Sequence, residues 1–269
     1  QRQMCIRDRY RIYISTFGNL TIHIKKGLPI EVGAAHRENF LYELHDDIGD
    51  NISHENEYYG ELTGLYWVWK NVKLKDNDII GFCHYNKALD ISEKKVQKWL
   101  SKNKEGIVTL LPTKIRNHPV SNEVKVIITL LRKDKPMYYK AWNKLYDEKA
   151  AGRYNACRGG NMFITTGDVF HKYCTWLFDL LENMRDSIGD KPEVDRNMRR
   201  YCAFMGERLL SVYIEANNLP VLGVKVRFKK WWLPYVRAIV KTLNINRESK
   251  IYILLSKRFG YHSQYSRKE

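Results

Sequence analysis

Residues 78–85 read DIIGFCHY. This short, nearly continuous apolar run follows a turn, which is typical of a strand buried on both faces of a parallel sheet. Residues 107–111, closed by Pro112, form a second run of this kind. Because predicted strands alternate with predicted helices, we expect an α/β domain with a mostly parallel central sheet. The other predicted strands are 10–17, 29–33 and 160–165, and the predicted helices are 57–71, 123–131, 136–147, one from Asp168, and 194–217.

The composition excludes several classes of protein. The chain of 269 residues is 44% hydrophobic, which is too apolar for a disordered protein. Apolar runs stay far shorter than the ~20 residues of a membrane-spanning helix, and no signal peptide opens the chain, so we expect a cytoplasmic protein. The five cysteines are widely spaced and include no C-x-x-C, which predicts reduced, buried thiols.

Positive charge is concentrated at the end of the chain. Residues 225–269 contain 12 Lys or Arg and 2 acids, so they carry +10 of the formal net charge of +16. We divide the chain into a foreign-looking segment 1–9, a domain 10–223, and a basic aromatic extension 224–269. One interpretation is a non-catalytic basic module that binds nucleic acid or an anionic membrane. The nearly balanced charge of the domain makes nucleic acid the weaker partner.

The familiar phosphate-binding and hydrolase motifs are missing. There is no G-x-x-x-x-G-K-[ST], G-x-G-x-x-G, H-E-x-x-H or G-x-S-x-G, which argues against P-loop ATPases, dinucleotide enzymes, zincins and α/β-hydrolases. One D-x-D occurs, Asp76-Asn77-Asp78, and such a pair can hold Mg²⁺ or Mn²⁺ against a diphosphate. It lies at the start of strand 78–85, whereas ligands bind beyond the carboxyl ends of strands. A solvated turn is therefore the favoured interpretation, and metal use stays open.

The carboxyl end of the same strand is a better candidate for a site. His84 and Tyr85 stand where a substrate would bind, and Lys87 follows closely enough to meet a phosphate. The alternative is a hydrogen-bonded core histidine beside a packing tyrosine. Asn161 comes after two glycines that would let the backbone approach a ligand, or it belongs to an ordinary turn.

Two further groups of polar residues have a chemical and a structural interpretation. The loop 46–53 offers Asp50 and Asn51 just before a predicted helix, either for a ligand or for capping. Glu207 and Arg208 lie within an otherwise apolar helix. They form either a structural ion pair or a tuned acid/base.

Six motifs in fixed order resemble one family, the bacterial capsular and exopolysaccharide glycosyltransferases of the domain of unknown function 4422. The resemblance covers roughly residues 10–219. The motifs are Gly49-Asp50-Asn51-Ile52-Ser53, Tyr59-x-Glu61-Leu62-Thr63-Gly64-Leu65-Tyr66-Trp67-x-Trp69-Lys70-Asn71, Ile80-Gly81-x-Cys83-His84-Tyr85, Asn161-Met162-Phe163-Ile164, Tyr173-Cys174-x-Trp176-Leu177-Phe178 and Glu207-Arg208-Leu209-Leu210.

The resemblance implies a GT-A-like glycosyltransferase fold and transfer of a sugar from a nucleoside diphosphate donor to a cell-surface glycan. Some members are galactofuranosyltransferases that use UDP-galactofuranose. Where the family usually has His-Tyr-Arg-Arg, this chain has His84-Tyr85-Asn86-Lys87, so Lys87 would face the diphosphate alone. The expected catalytic residues are Glu207, as the base, and His84. The expected donor- or acceptor-binding residues are Asp50, Asn51, Glu61, Tyr85, Lys87, Asn161 and Arg208, with Arg208 fixing Glu207.

Residues 224–243 mix basic with aromatic and aliphatic side chains. Lys and Arg attract anionic headgroups at about 1 kcal/mol each, and Trp and Tyr prefer the membrane interface. The segment is too charged to span a bilayer but suited to lie on one. We therefore predict peripheral binding to the inner face of the cell membrane, near a lipid-linked acceptor. The alternative is that these aromatic residues fold back onto the domain.

Overall fold

The computed structural model describes residues 9–20, 22–114, 121–146, 156–190 and 199–228. The chain divides into two compact units, residues 1–226 and 227–269. Of the second unit only Arg227 and Phe228 are described, at the end of a short strand. Of the predicted foreign segment 1–9 only Arg9 is described, and of the predicted membrane-binding segment 224–243 only residues 224–228 are described.

The described elements alternate between strands and helices, as the sequence predicts. The strands are β1 Tyr10–Thr16, β2 Gly27–Glu31, β3 Ile79–His84, β4 Lys87–Leu89, β5 Ile107–Leu110, β6 Thr113–Lys114, β7 Ala156–Cys157, β8 Phe163–Thr166, β9 Val221–Val224 and β10 Val226–Phe228. The helices are α1 Asn56–Tyr59, α2 Leu62–Asn71, α3 Glu93–Leu100, α4 Ser121–Asp134, α5 Pro136–Tyr146, α6 Gly167–Ile188 and α7 Tyr201–Ala216.

The central sheet is mixed, with more parallel than antiparallel register pairs among the described strands. β1 is parallel to β2 and β3, and β5 is parallel to β9. β8 lies between β3 and β5 and is antiparallel to both, with Phe163 opposite Phe82 and Thr109. The predicted α/β class is confirmed, and the reversed direction of β8 is the feature that periodicity did not reveal. The carboxyl ends of the five parallel strands meet at one edge, where the chain also enters β8.

Both faces of the sheet are covered, because alternate strand residues point to opposite sides. Phe82 and Phe163 contribute to a large core formed with α1, α2 and α4 to α7. Their neighbours Cys83 and Ile164 contribute to a smaller core formed with α3. The edge at the carboxyl ends is therefore the part of the sheet open to loops and polar side chains.

Two predicted helices were wrong in their bounds. The predicted helix 57–71 is broken at Gly60, which has φ 54° and ends α1, and α2 begins after Glu61. The apolar periodicity continues across the break because both helices face the same core. The helix predicted over 194–217 begins at Tyr201, since Arg200 has a non-helical ψ of 37°. Residues 194–198 lie outside the described part of the chain.

The predicted thiols are confirmed where the structure describes them. Cys83, Cys157, Cys174 and Cys202 are buried thiols, and Cys5 lies outside the described residues. No helix in the described part of the chain is long and apolar enough to cross a membrane.

Candidate functional site

His84 ends β3 at the centre of the carboxyl edge and is buried. Its Nε2 contacts the carbonyl oxygen of Gly160. Because a carbonyl can only accept, Nε2 carries the proton and Nδ1 is left as an acceptor. Burial lowers the pKa of His84 to about 4, and the positive charge of Lys87 adds to this, while Glu61 opposes it. The imidazole ring is therefore neutral at pH 7, and its hydrogen bond to the Gly160 carbonyl holds this turn in place.

Glu61 is a buried carboxylate that stands next to His84. Its Oε1 accepts a hydrogen bond from Asn161 Nδ2 at 2.8 Å, and its Oε2 accepts one from Arg200 Nη2 at 2.8 Å. Burial alone would raise the pKa of Glu61, but His84, Arg200 and the Asn161 amide together hold it below its ordinary value. Glu61 is thus ionised, and each of its oxygens already has a partner.

Asn161 occupies a tight turn in which two successive residues have positive φ. Gly160 has φ 88° and Asn161 has φ 47°, a left-handed conformation that asparagine tolerates better than most residues. The Asn161 side chain is buried, and its Nδ2 also donates to the carbonyl of Ala203 at 3.3 Å. A Cβ at Gly206 would lie 3.1 Å from Asn161 Oδ1, so the missing side chain there makes room for the amide. The turn thus packs against α7, and the close approach of its backbone to a ligand stays a prediction.

Glu207, on α7, is the second carboxylate of the cluster. Burial raises its pKa, and Glu61 acts in the same direction, while Lys87 and the Gly160 backbone partly oppose the rise. Lys87 lies against the Gly160 turn: a Cβ added at Gly160 would be 2.9 Å from Lys87 Nζ. The two carboxylates thus have pKa values shifted in opposite directions. In such pairs the group with the raised pKa is suited to transfer a proton, and the group with the lowered pKa stays ionised.

Arg208 Nη1 donates to the carbonyl of Phe204 at 2.8 Å. Its positive charge also acts on Glu207, where it opposes the rise in pKa. The role of Arg208 in fixing Glu207 stays a prediction. Tyr85 is half-buried; its backbone N–H donates to the carbonyl of Ser15 in β1 at 2.9 Å, and its carbonyl accepts the N–H of Ile22, after β1, at 3.1 Å.

Asp50 and Asn51 serve their own loop. Asp50 Oδ1 accepts from Tyr66 at 3.1 Å, and its backbone is bonded to Asn71 at the far end of α2. Asn51 Nδ2 donates to two carbonyls of the same loop, and its Oδ1 accepts from the Ser53 N–H. None of these contacts reaches the cluster around His84, and the helices that begin at Ser53 and Asn56 have no side-chain cap hydrogen bond. The ligand-binding interpretation of Asp50 and Asn51 stays a prediction.

The sequence analysis missed Asp46, which orders the start of that loop. Asp46 is buried, and its carboxylate accepts the backbone N–H groups of Gly33 and Ala34, each at 3.0 Å, and the hydroxyl of Ser53. The sequence signal that could have indicated this role is the glycine at the end of the predicted strand 29–33. The backbone N–H groups at this strand end need an acceptor, and Asp46 is a carboxylate in the loop region that follows. Arg200 was also missed, because it lay inside a predicted helix.

The D-x-D turn lies at the amino end of β3, at the opposite edge of the sheet. Asp78 is buried, not solvated as predicted, and its Oδ2 accepts the Lys75 N–H at 3.0 Å. Its Oδ1 is buried without a hydrogen-bond partner in the described structure. Among the described residues, no three His, Cys, Asp or Glu side chains form a group that could hold a metal ion.

Comparisons with known proteins agree with this fold. The family model described as a domain of unknown function (DUF4422) matches residues 11–218. Among solved structures, the apo form of WbbM, described as a bifunctional glycosyltransferase, is similar with a TM-score of 0.67 and 26% identity. The match covers 81% of this chain and 45% of that one, so this chain spans less than half of WbbM. No curated protein sequence matches.

Proposed function

The chain belongs to the DUF4422 family, and from this premise we propose that it is a glycosyltransferase that takes a sugar from a nucleoside diphosphate donor. The observation that carries the proposal is the cluster at the carboxyl end of β3. There, two carboxylates with opposite pKa shifts, Glu61 and Glu207, surround neutral His84 together with Lys87 and Arg200. The likeness to a glycosyltransferase at 26% identity supports the same reaction class.

Glu207 is the proposed general base. Sugar transfer requires removal of a proton from the acceptor hydroxyl, and a carboxylate with a raised pKa is matched to that task. Glu61 is unsuited to it, because both of its oxygens are already bonded and its pKa is lowered. Lys87 is proposed to neutralise the charge that develops on the leaving diphosphate.

A divalent cation does not enter this mechanism. The Asp76–Asp78 turn does not fit one held against a donor diphosphate, because Asp78 is buried with Oδ2 bonded to backbone and lies at the amino end of β3. Transfer assays with and without EDTA test the use of Mg²⁺ or Mn²⁺. Every proposed step uses the side chains at the carboxyl end of β3.

The finer assignments are proposals based on the resemblance of the motifs. We propose a UDP-sugar donor, with galactofuranose as the transferred sugar, and a capsular or exopolysaccharide acceptor carried on lipid. We also propose that the enzyme is cytoplasmic and is bound peripherally to the membrane through residues 224–243. The alternative of a basic nucleic-acid module rests on the extension 224–269. Beyond residue 228 that extension lies outside the described chain, and no described contact favours the alternative.

Calorimetric titration with UDP, followed by transfer assays with UDP-galactofuranose, UDP-galactose and UDP-glucose with and without EDTA, tests the proposal. We expect UDP binding and turnover of at least one donor. Lys87→Ala should weaken UDP binding by about 10- to 100-fold, as expected for loss of a charge-assisted hydrogen bond of ~1.5–3 kcal/mol. Lys98→Ala, on the exposed face of α3, is the matched control. Absence of binding and turnover with every nucleotide sugar would overturn the proposal.

A further inference from the structure

Two neighbouring arginines precede α7, and each pairs with a glutamate near the start of α1 or α2. Arg199 Nη1 lies 2.9 Å from Glu57 Oε2, and Arg200 Nη2 lies 2.8 Å from Glu61 Oε2. The pairs differ in burial: the Glu57 side chain is 35% exposed, whereas that of Glu61 is 6% exposed. A buried carboxylate depends on its partner far more than an exposed one does.

The backbone is shaped to let Arg200 reach Glu61. Gly60, between the two helices, has φ 54°, and a Cβ at this position would lie 2.6 Å from Arg200 Nη2. A side chain at position 60 would thus be strained and would collide with the guanidinium. The break in the predicted helix and the Arg200–Glu61 ion pair are parts of one arrangement.

Contacts continue from Glu61 to the residues proposed to react. Glu61 holds the amide of Asn161, which follows Gly160 in the left-handed turn. The carbonyl oxygen of Gly160 accepts a hydrogen bond from His84. The backbone N–H of Gly160 faces Glu207. A shift of this turn would therefore move the partners of both His84 and Glu207.

We propose that Arg200 is a positioning residue that keeps Glu61 as a carboxylate and, through Asn161, holds the Gly160 turn against His84 and Glu207. The inference rests on the proposed function for its catalytic meaning, since that turn borders the proposed general base. Its structural content, an ionised Glu61 maintained by Arg200, can be measured without any substrate.

The groups facing Glu61 define the expected pH behaviour. They are His84 from β3, Asn161 before β8, Arg200 before α7 and Glu207 on α7. Arg200 is the permanent cation among them and donates directly to Glu61 Oε2 at 2.8 Å, while His84 also lowers the pKa of Glu61. Without Arg200 the pKa of Glu61 rises, because burial is then opposed only by His84 and by hydrogen bonding.

The first test is the pH dependence of sugar transfer in Arg200→Gln, Arg200→Lys and the control Arg199→Gln. In Arg200→Gln the acid limb should become steeper than in the parent, because Glu61 then protonates about one pH unit or more higher and releases the Gly160 turn in addition to the protonation of Glu207. Arg200→Lys should restore most of the parent profile, since it returns the charge, and Arg199→Gln should match the parent. A profile for Arg200→Gln that coincides with the parent, at whatever melting temperature, overturns the proposal.

The second test is thermal unfolding between pH 3 and pH 8 and needs no donor. A carboxyl with a lowered folded-state pKa stabilises the fold above its ordinary pKa, and this is lost as the pH falls through the folded value. The melting temperature of Arg200→Gln should therefore lie below that of the parent above pH 5, with the gap closing in acid. A gap that is constant with pH, or equal in Arg199→Gln, overturns the inference even if the protein proves to be a glycosyltransferase. Failure of every nucleotide sugar to bind sinks the proposed function and leaves this result standing.

Discussion

The two ends of β3 both carry buried acidic side chains, but these are bonded to different kinds of partner. At the amino end, the Asp78 carboxylate accepts the backbone N–H of Lys75, three residues away in the same turn. At the carboxyl end, Glu61 accepts hydrogen bonds from the side chains of Asn161 and Arg200, 100 and 139 residues away in sequence.

This difference distinguishes an acidic side chain that stabilises a local turn from a cluster of charged side chains that could take part in a reaction. The turn at Asp78 supplies its own backbone donor, so this carboxylate is held by residues close to it in sequence. The carboxyl end gathers charges from distant segments into a site of low dielectric, where they act strongly on one another. Here the pKa values of His84, Glu61 and Glu207 are all displaced.

Glu207→Gln gives the largest expected contrast between the two ends. The amide cannot take a proton, so transfer should fall by about 10²- to 10⁴-fold, the usual contribution of general-base catalysis. The fold should persist, because the glutamine oxygen can still accept from the Gly160 N–H. Steady-state rates and melting temperature are measured on the same preparation. Near-normal specific activity with a lowered melting temperature would show that Glu207 is only structural.

The second prediction concerns the pH dependence of stability at the carboxyl end. The pKa of His84 is lowered to about 4 in the folded state, so between pH 6.5 and pH 4 the unfolded chain binds the additional proton. Stability should therefore fall as the pH is lowered through this window, by up to ~1.4 kcal/mol per pH unit.

His84→Gln removes this titration while keeping an N–H donor for the Gly160 carbonyl. The variant should flatten the slope, as measured by denaturant unfolding at several pH values. His36→Gln changes an exposed ring in the β2 loop and should leave the slope as it is. Equal slopes in the parent and His84→Gln would mean that His84 is not held neutral by burial.

Asp76→Asn, at the amino end, should have the smallest effect. Asp76 is exposed, and substitutions at such positions usually change stability by less than about 0.5 kcal/mol. Transfer rates should stay close to those of the parent, with and without added Mn²⁺, because the turn lies at the edge of the sheet opposite the proposed site. A loss of tenfold or more that depends on metal would show that the D-x-D turn binds the donor and would reverse the comparison.

Patterns in the sequence were sufficient for most of the elements that build the sheet. The runs at 10–17, 78–85 and 107–111 became β1, β3 and β5, because burial on both faces of a strand leaves a continuous apolar signature. The break at Gly60 was not visible, since the apolar period continues through it. The direction of β8 was not visible either, because alternation within a strand is the same in both directions.

For the site, the sequence by itself placed His84 and Lys87 at the carboxyl end of the strand 78–85, and the structure brings the candidates Glu61, Asn161 and Glu207 to the same edge. Only the tertiary structure decided their partners. It brought in Arg200, bonded Arg208 to the carbonyl of Phe204, and bonded Asp50 to α2 and Asn51 to its own loop. The reason is physical: charge, desolvation and hydrogen bonding act through space over a few ångströms, and the spacing of residues along the chain does not encode those distances.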